Sequence, residues 1–524
     1  MDPEAHVVAA IDLLLTIGYI DGHLHEGEQA LIQRYLHQLV ELTPGSAAAV
    51  DAAYARLEAE IKALAAEPVE TTDATYTTTR LKVRAVSLFR AFSPADQRVA
   101  LELMTALSHA DGTVDATERE LHDELLAYFH AVPHLPAPHV DAPAELLRIE
   151  PARVLPLAAP THPALDAVEH PYSQDSPTLL AQFQSDYNLI FQTIGVWEQQ
   201  RSRGNGRLLG VTDISQLAPG TRLLDGHVHV IRPDHPTELV VLGDLHGCYG
   251  CLKAALLQSN FIERASLHQQ DPASHPDVKL VLLGDYLDRG RFGFEGVLRA
   301  ALQLQGMLPD HVILLRGNHE YLVRMGAHVV SAVNPAEAVP AISDRAPPGI
   351  LDAYRHLFEH MPTALFFERT FLVHGGIPRD ETLAERYRDF SSLGDPVMRF
   401  EMMWSDPEQT DHVPVELQRA SSRFSFGRAQ FRDFIGRIGC HAMIRGHEQV
   451  DQGFITTFDL GSCQLHTLFS AGGRDNPDLP TDSRYRNVTP MALTIRWDAG
   501  VATAFPWVID YLPFASPEHN GLLR

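Results

Sequence analysis

The chain has 524 residues, which at roughly 150 residues per domain predicts two or three domains. Hydrophobic residues make up 45% of it and charged residues 21%, a balance typical of globular rather than disordered proteins. Its 42 Lys+Arg and 67 Asp+Glu give a net charge of -25, which repels phosphate backbones and anionic lipid surfaces. We therefore expect neither a nucleic acid nor a membrane as the partner.

Cysteine content and the first residues favour a reducing compartment. Four cysteines are too few for a disulfide scaffold in a chain of this length. The acidic N-terminus lacks the basic segment of a signal peptide, and no apolar run is long enough to span a bilayer. A cytoplasmic protein is the simplest interpretation.

Residues 1–132 predict an all-α domain, because apolar residues recur there at helical spacing. The pattern Asp-Gly-x5-Glu occurs twice, from Asp21 to Glu28 and from Asp111 to Glu118. An Asp-Gly pair ends a helix sharply, and a Glu in the next helix suits the positive end of its dipole, so two similar turns explain the repeat. The alternative is a cation site built from the four carboxylates, although the spacing is not that of an EF-hand.

This segment resembles the TerB-like helical domains of the tellurite-resistance group, which carry such Asp-Gly-x5-Glu turns. The resemblance covers about a quarter of the chain. It implies a regulatory or binding domain with a protein partner or a cation as its ligand.

Residues 133–177 are rich in proline, which predicts an extended linker or a strap that lies over one domain. Residues 178–224 begin with a helical pattern over 178–200, and a connecting loop that contains glycine and arginine completes the segment.

From residue 225 onward, short aliphatic runs alternate with polar loops. Five such runs, at 239–242, 278–283, 312–315, 370–373 and 442–444, each lead into a loop that contains glycine and at least one Asp, Asn or His. This pattern is typical of buried strands that present functional loops at their ends.

The loop residues predict a metal centre. The candidate ligands are carboxylate, imidazole and amide groups, and they are Asp244, His246, Asp285, Asn318, His374 and His447. Six ligands exceed the need of one tetrahedral ion, and a carboxylate can bridge two ions that activate a water between them. We therefore expect two divalent ions, with manganese favoured and iron or zinc as alternatives.

The set of loops resembles the phosphoprotein phosphatase family of two-metal serine/threonine phosphatases over roughly residues 225–510. Three segments carry the resemblance: Leu315-Arg316-Gly317-Asn318-His319-Glu320, Trp404-Ser405-Asp406-Pro407 and Arg445-Gly446-His447-Glu448-Gln449-Val450. The resemblance implies a calcineurin-like β-sandwich flanked by helices, with residues 511–524 as a tail. The expected fold class is thus α+β or α/β after an all-α N-terminal domain.

The resemblance also implies roles for individual residues. Asp244, His246 and Asp285 would hold one metal, and Asp285, Asn318, His374 and His447 the other. His319 would be the general acid, oriented by Asp288, and Arg289 would bind the phosphate with a second arginine. The chemistry of these side chains agrees with those roles. An Asp–His pair raises the fraction of charged imidazole, and a guanidinium group binds phosphate bidentately.

Three features depart from the family pattern. The second arginine is not at the expected offset from Phe426-Gly427, and we favour Arg423 over Arg419. The family segment Ser-Ala-Pro-Asn-Tyr is replaced by residues 470–476, which lack the tyrosine that overhangs the metals. Residues 260–277 have the composition of an inserted polar loop.

Cys248 and Cys251 form a Cys-x-x-Cys pair at a predicted helix start, directly after the first ligand loop. A helix N-terminus lowers the pKa of a thiol, so a redox switch beside the metals is one interpretation. The other is that two small residues pack beneath the loop.

The predicted function is metal-dependent hydrolysis of phosphate monoesters on serine or threonine of a phosphorylated protein, by direct attack of the water between the metals. One alternative is hydrolysis of dinucleoside polyphosphates or other small phosphate esters at the same site. Another is a sensor or binding module in residues 1–132 with the phosphatase as its output.

Overall fold

The computed structural model describes residues 3–20, 23–42, 47–66, 94–107, 116–130, 146–326, 328–415 and 424–524, with residue 418 and seven positions between 81 and 92. Its α-helices, in chain order, are α1 Pro3–Gly18, α2 Glu26–Leu42, α3 Ala47–Ala66, α4 Pro94–Leu107, α5 Ala116–His130, α6 Pro163–Asp166, α7 Ser176–Gly204, α8 Tyr249–Gln258, α9 Phe261–Gln270, α10 Arg299–Met307, α11 Ala338–Ser343, α12 Ile350–His360, α13 Asp380–Arg386, α14 Pro396–Trp404 and α15 Arg428–Arg437.

The strands follow residue 147. They are β1 Arg148–Ile149, β2 Arg153–Val154, β3 Arg222–Asp225, β4 Val228–Ile231, β5 Thr237–Leu242, β6 Asp277–Leu282, β7 Val312–Leu314, β8 Leu322–Met325, β9 His328–Ser331, β10 Ala364–Phe367, β11 Thr370–Val373, β12 Ser405–Pro407, β13 Phe424–Phe426, β14 Ala442–Arg445, β15 Phe454–Asp459, β16 Gln464–Leu468, β17 Met491–Asp498 and β18 Val501–Val508.

Fourteen of these strands form two seven-stranded sheets. One has the order β1-β18-β17-β5-β6-β7, with β2 also paired to β18, and the other has the order β15-β16-β14-β11-β10-β4-β3. Strands β5, β6 and β7 are parallel neighbours, as are β11 and β14.

The sheets face each other across a shared apolar core. On β5, Leu239 and Val241 point into this core, whereas Val240 and Leu242 belong to the core between the sheet and its helices. Side chains alternate in the same way along β6 and β7, as expected for strands that are buried on both faces. The predicted β-sandwich flanked by helices is therefore confirmed.

The chain divides into two compact units, residues 1–140 with 408–430 and residues 141–407 with 431–524. In the first unit, the described helices enclose a separate core that includes Ile11, Leu15 and Ile61. A bidentate pair joins Arg84 to Asp12 at 2.7 and 2.9 Å. The prediction of an all-α domain over residues 1–132 is confirmed for the described residues of that range.

The repeated turns of the helical unit are described only in part. Asp21 and Asp111 lie outside the described residues. Glu28 is buried, and one of its carboxylate oxygens accepts the backbone N–H of His25 at 2.8 Å. That contact is the one expected of a carboxylate in the first turn of a helix.

The described part of the proline-rich segment belongs to the second unit. β1 and β2 both pair with β18 in parallel, and α6 has a proline in its first turn, where the lost N–H has no intrahelical partner. Residues 511–524 belong to the same unit, and Phe514 and Leu522 are buried in its core.

The interpretation of residues 260–277 as a polar loop was wrong. Helix α9 occupies most of this stretch, and β6 begins at Asp277. Phe261, Ile262 and Ala265 are buried on one face of the helix, and its polar residues cover the other. The mixed composition reflects an amphipathic helix.

None of the described helices is both long enough and apolar enough to cross a lipid bilayer.

Candidate metal centre

The candidate ligands converge because the strands that precede them end at one edge of the sandwich. Asp244 and Asp285 follow β5 and β6, and Asn318 follows β7. His374 and His447 follow β11 and β14 of the second sheet. Parallel strands present their carboxyl ends at a common edge, so the five loops meet there. All six predicted ligands are buried.

The loops hold an unusual backbone conformation. Eight non-glycine residues have positive φ in the described part of the chain, and five of them are site residues: His246, Asp285, Asp288, Arg289 and His447. Such conformations cost of order 1–3 kcal/mol each and persist where the surroundings enforce them. Two glycines permit close approach, since a Cβ on Gly317 would lie 2.2 Å from Asp285 Oδ1 and one on Gly446 would lie 2.3 Å from Asp244 Oδ1.

Two groups of ligand atoms share the carboxylate of Asp285. In the first group, Nε2 of His246 lies 3.4 Å from Asp285 Oδ2 and 3.6 Å from Asp244 Oδ2. In the second, Nε2 of His374 lies 3.3 Å from Asp285 Oδ1. One carboxylate thus presents a different oxygen to each group, which is the arrangement of a bridging ligand.

The second group is completed by two further side chains. Asn318 Oδ1 lies 3.0 Å from both His374 Nε2 and His447 Nδ1. The two imidazole nitrogens are themselves 3.2 Å apart. Imidazole, amide oxygen and carboxylate are the donor set that a borderline divalent ion takes.

Electrostatics in the protein alone favours bound cations. Burial raises the pKa of Asp244 to about 7. Burial, followed by the nearby charges of Asp244 and Glu320, raises the pKa of Asp285 well above its usual range. Oδ2 of Asp244 and Nδ1 of His374 have no hydrogen-bond partner although they are buried. Buried carboxylates without a compensating charge are costly, and the residues therefore fit a pair of divalent ions.

Glu320 joins the two ligand loops, a role that sequence reasoning did not assign. Its fully buried carboxylate accepts backbone N–H groups of Asp285 at 2.8 Å, Tyr286 at 2.9 Å and Gly317 at 3.1 Å. Its place at the end of the Asn-His-Glu sequence was the signal that could have identified it.

His319 and Asp288 meet as predicted. Nδ1 of His319 lies 2.8 Å from Asp288 Oδ2. Burial lowers the pKa of His319, and the contact with Asp288 raises it by less, so the net direction is down. Burial raises the pKa of Asp288, but its hydrogen bond with His319 and those from the Glu337 and Ala338 N–H groups leave it below the usual value.

Arg289 lies beside the centre and is held by an acid that the sequence did not indicate. Its guanidinium is 3.1 Å from Glu337 Oε1 and 3.1 Å from the carbonyl oxygen of Pro335. Glu337 is half exposed, so this pair is open to exchange with a substrate oxyanion. Arg419 and Arg423 both lie outside the described residues.

Two of the recognised segments meet through Arg445. Its fully buried guanidinium lies 2.8 Å from Asp406 Oδ1 and also donates to the carbonyl of Gly375. Asp406 lies 3.7 Å from Nε2 of His447, whose Nδ1 faces Asn318. A carboxylate on the far nitrogen of a ligand imidazole fixes its orientation.

A tyrosine absent from the expected segment enters from another. Tyr485 stacks on His246 with ring centroids 5.3 Å apart and also contacts Phe469. Burial, and next the charge of Asp244, raises the pKa of its phenol. Residues 470–476 contain no tyrosine. Comparison of that segment with the family pattern therefore could not predict that Tyr485 would lie at the site.

The two cysteines near the first loop are fully buried thiols. Burial raises the pKa of Cys248 well above its usual value, and Cys251 accepts a contact from Asn476 Nδ2 at 3.5 Å. The redox interpretation relied on a lowered pKa, and it is wrong on that point because burial outweighs the helix N-terminus. The packing interpretation fits the structure.

A third group of potential ligands lies at the opposite edge of the first sheet. It consists of His235, His268 and Asp277. Lys279 Nζ and Arg222 lie 2.8 and 3.1 Å from the Asp277 carboxylate, so its charge is already compensated. These neighbours disfavour a divalent ion there.

Comparisons with known proteins agree with this geometry. Residues 237–451 match the family model of calcineurin-like phosphoesterases, and residues 7–134 match that of tellurite resistance protein TerB. The first of these segments is thus similar to calcineurin-like phosphoesterases, and the second is similar to TerB. Both predicted resemblances are thereby confirmed.

Curated relatives match the phosphoesterase domain. A probable serine/threonine-protein phosphatase of Encephalitozoon cuniculi is 27% identical over 253 residues, covering 46% of this chain and 49% of its own. A serine/threonine-protein phosphatase of Caenorhabditis elegans is 28% identical, covering 46% and 48%. The phosphatase 4 catalytic subunit of Saccharomyces cerevisiae is 26% identical, covering 45% and 69%. The chain thus spans about half the length of the first two.

A solved structure of a Saccharomyces cerevisiae protein serine/threonine phosphatase with similarity to human phosphatase PP5 also aligns. It has a TM-score of 0.39 and 17% identity, and the alignment covers 62% of this chain and 89% of that one.

Proposed function

We propose that the chain is a metal-dependent phosphomonoesterase that hydrolyses phosphoserine or phosphothreonine in proteins. The observation that carries the proposal is the placement of Asp285 between two clusters of buried histidines, with one carboxylate oxygen facing each. The two clusters would each hold one divalent ion, with Asp244 and His246 on one side and Asn318, His374 and His447 on the other.

The ions would neutralise the phosphate oxygens and activate the attacking water. Manganese is the proposed metal, because the donors mix carboxylate, amide and imidazole and include no thiolate. The clusters supply this donor set from five separate loops, which explains why the centre needs the whole sandwich to form.

His319 would give the departing alkoxide its proton. Its Nδ1 is engaged with Asp288, so Nε2 is the nitrogen available to the leaving-group oxygen. Asp288 is fixed in turn by the backbone N–H groups of Glu337 and Ala338, at 2.8 and 2.7 Å. Arg289 would bind two phosphate oxygens after it leaves Glu337, and Arg423 is the proposed second arginine.

A protein substrate is supported by the matched relatives, whose names state serine/threonine-protein phosphatase. The TerB domain is proposed as a regulatory module that binds a protein partner or a cation. A cytoplasmic location is proposed, since all four cysteines are buried free thiols.

The test is turnover of phosphoserine peptides against a dinucleoside polyphosphate by the full-length, manganese-loaded protein. The proposal expects the peptides to be hydrolysed with a kcat/KM at least about 100-fold higher, a margin of nearly 3 kcal/mol. Faster hydrolysis of the dinucleoside polyphosphate would replace the proposed substrate class with the alternative. Activity that survives in Asp285→Asn would overturn the site itself.

A further inference from the structure

An open pocket of about 490 Å³ lies beside the ligand loop that contains Asn318. It adjoins that loop because Arg316 and Tyr321 flank residues 317–320 and both line the pocket. Its other lining residues include Arg324, Arg355, Arg399, Phe400 and one acidic residue, Glu359. Four arginines around one pocket of ligand size are an uncommon concentration of positive charge in a chain with a net charge of -25.

Arg316 is buried with little compensation. Only 5% of the residue is exposed, and its Nε donates to the backbone carbonyl of Glu320 at 3.2 Å. The guanidinium carbon lies 4.9 Å from the centre of the Tyr321 ring, which holds the fork in place by a cation–π contact. The acceptors around it are therefore neutral.

Arg399 is also poorly compensated. Its Nε is buried and has no hydrogen-bond partner. Nη1 of Arg399 lies 3.1 Å from Nδ1 of His227. The same Nδ1 of His227 also lies 2.8 Å from the carbonyl oxygen of Met361. A neutral imidazole nitrogen cannot both donate to the carbonyl and accept from Arg399. Burial and next the charge of Arg399 lower the pKa of His227 to about 3, so the imidazole is neutral.

The other two arginines of the pocket differ in this respect. Arg324 Nε lies 3.2 Å from Asp352 Oδ1, and Arg355 pairs with Glu359. These two form ordinary surface ion pairs. By contrast, the described part of the chain places no carboxylate within 4.0 Å of Arg316 or Arg399. The same excess charge is felt further away, since burial and Arg399 lower the pKa of Arg201 to about 10.

Two guanidiniums that line one pocket, with no carboxylate of the described residues within 4.0 Å of either, point to an anionic ligand. Guanidinium forks match the oxygens of a phosphoryl group bidentately, and the rings of Tyr321 and Phe400, 5.3 Å apart, bound the site on one side. We propose that this pocket binds a phosphoryl group at a site separate from the metal centre, with Arg316 and Arg399 as its ligands.

The phosphoryl group has two sources of the same chemistry. One is free inorganic phosphate, which is also the product of the reaction proposed above. The other is a second phosphoryl group on a multiply phosphorylated substrate, and this source rests on the proposed function. Both require the two arginines, and neither requires the metal ligands.

Calorimetric titration of the full-length, manganese-loaded protein with inorganic phosphate tests the proposal. We expect two phosphate sites in the wild type and one in Arg399→Met, which removes the charge but keeps the length of the side chain. Arg324→Met is the matched control, because its charge is already paired, and it should retain both sites. Asp285→Asn should lose the metal-centre site and keep the pocket site.

The outcomes distinguish the proposed phosphoryl pocket from the proposed phosphatase function. Equal phosphate stoichiometry in the wild type and Arg399→Met would overturn the pocket, whatever the activity of the enzyme. Phosphate binding that Arg399→Met loses but Asp285→Asn retains would support it even if the protein proved inactive on phosphopeptides.

A second measurement addresses folding and the source of the ligand. Saturating phosphate should raise the melting temperature of the wild type by more than that of Arg399→Met, and an equal rise would count against the pocket. If the ligand is a second substrate phosphoryl, a doubly phosphorylated peptide should have a KM about 10-fold below that of its singly phosphorylated form. Arg399→Met should abolish that gap in KM. An equal KM for both peptides would assign the pocket to free phosphate.

Discussion

Two clusters of histidine and aspartate lie at opposite edges of the same sheet, and the pKa values of their aspartates are shifted in opposite directions. At the carboxyl ends of the strands, Asp244 and Asp285 are buried and their pKa values are raised. At the amino ends, Asp277 is equally buried, yet Lys279 and Arg222 outweigh the effect of burial and lower its pKa. Residue type alone therefore does not identify a metal centre.

The difference lies in what else reaches each cluster. Around Asp277, a lysine, an arginine and His311 all lie within 3.4 Å of the carboxylate, so positive charge comes from the chain itself. Around Asp285, His246 and His374 lie 3.4 and 3.3 Å from the carboxylate, and His319 donates its backbone N–H to it at 3.1 Å. Burial lowers the pKa values of His246 and His374 well below the usual value, so these two imidazoles are neutral. The carboxylates at the edge of Asp285 therefore fit a divalent cation, whereas the chain itself neutralises Asp277 at the other edge.

The largest expected effect separates the two clusters by activity. Asp285→Asn should reduce kcat/KM by at least about 1000-fold, since it removes the ligand shared by both groups. Asp277→Asn should leave kcat/KM within about twofold. It should instead lower the free energy of unfolding by about 3 kcal/mol, because Lys279 would stay buried without its partner. Steady-state kinetics measure kcat/KM, and urea unfolding measures the free energy of unfolding. A comparable loss of activity in the two variants would contradict the assignment of different roles to the two clusters.

The next effect concerns the histidines. His319→Ala should slow hydrolysis of a phosphoserine peptide by about 100-fold or more but that of nitrophenyl phosphate far less, because nitrophenolate leaves without a proton. His268→Ala, at the other edge, should change neither rate. Equal loss on the two substrates in His319→Ala would contradict its role as the acid.

Metal removal should reverse the pH dependence of stability at the catalytic edge. The pKa of Asp244 is about 7 in the folded chain against an ordinary value of 3.8, so protonated Asp244 stabilises the fold below pH 4. In chelated protein, this contribution should be lost as the pH rises from about 4 to 7. The pKa of Asp277 is lowered, so its contribution is present above pH 4 and lost in acid.

Thermal melting between pH 4 and 8, with and without manganese, measures this reversal. The manganese-loaded protein should gain stability relative to the chelated protein as the pH rises, since the ions bind deprotonated ligands. A constant difference between the two forms across this range would contradict the account. Asp277→Asn serves as the control, because it removes the opposing acid dependence.

The smallest expected effect concerns the arginines. Arg222 is held by a fully buried carboxylate, whereas Arg289 is held by the half-exposed Glu337. Glu337→Gln should lower the KM for phosphopeptide about two- to threefold, because the substrate no longer displaces an ion pair. Glu150→Gln, which breaks the surface pair with Arg153, is the matched control and should leave KM unchanged. A rise in KM would mean that Glu337 positions Arg289 for binding.

The ligand residues could be predicted because each lies in a short segment directly after an apolar strand, as with Asp285 and Asn318. Their second partners could not, since Glu337 is 48 residues from Arg289 and has no motif. The sandwich followed from a family resemblance rather than from strand patterns, because buried parallel strands such as β7 show no alternation of polarity.

The mistaken interpretations share a physical cause. Helix α9 resembled a loop because its apolar face is narrow. A lowered pKa for the Cys248 thiol was one of two interpretations, and burial overturns it, which cannot be read from a helix start. The Asp288 contact raises the pKa of His319 as expected, but burial decides the net direction. Burial depends on distant segments, and the local sequence does not reveal it.

Metal content of the purified full-length protein, measured by elemental analysis after dialysis, is the decisive measurement. We expect two manganese ions per chain after loading in the wild type, two in Asp277→Asn and fewer than one in Asp285→Asn. Two ions retained in Asp285→Asn, or an ion lost in Asp277→Asn, would contradict the assignment of the metal centre to the carboxyl edge of the sheet.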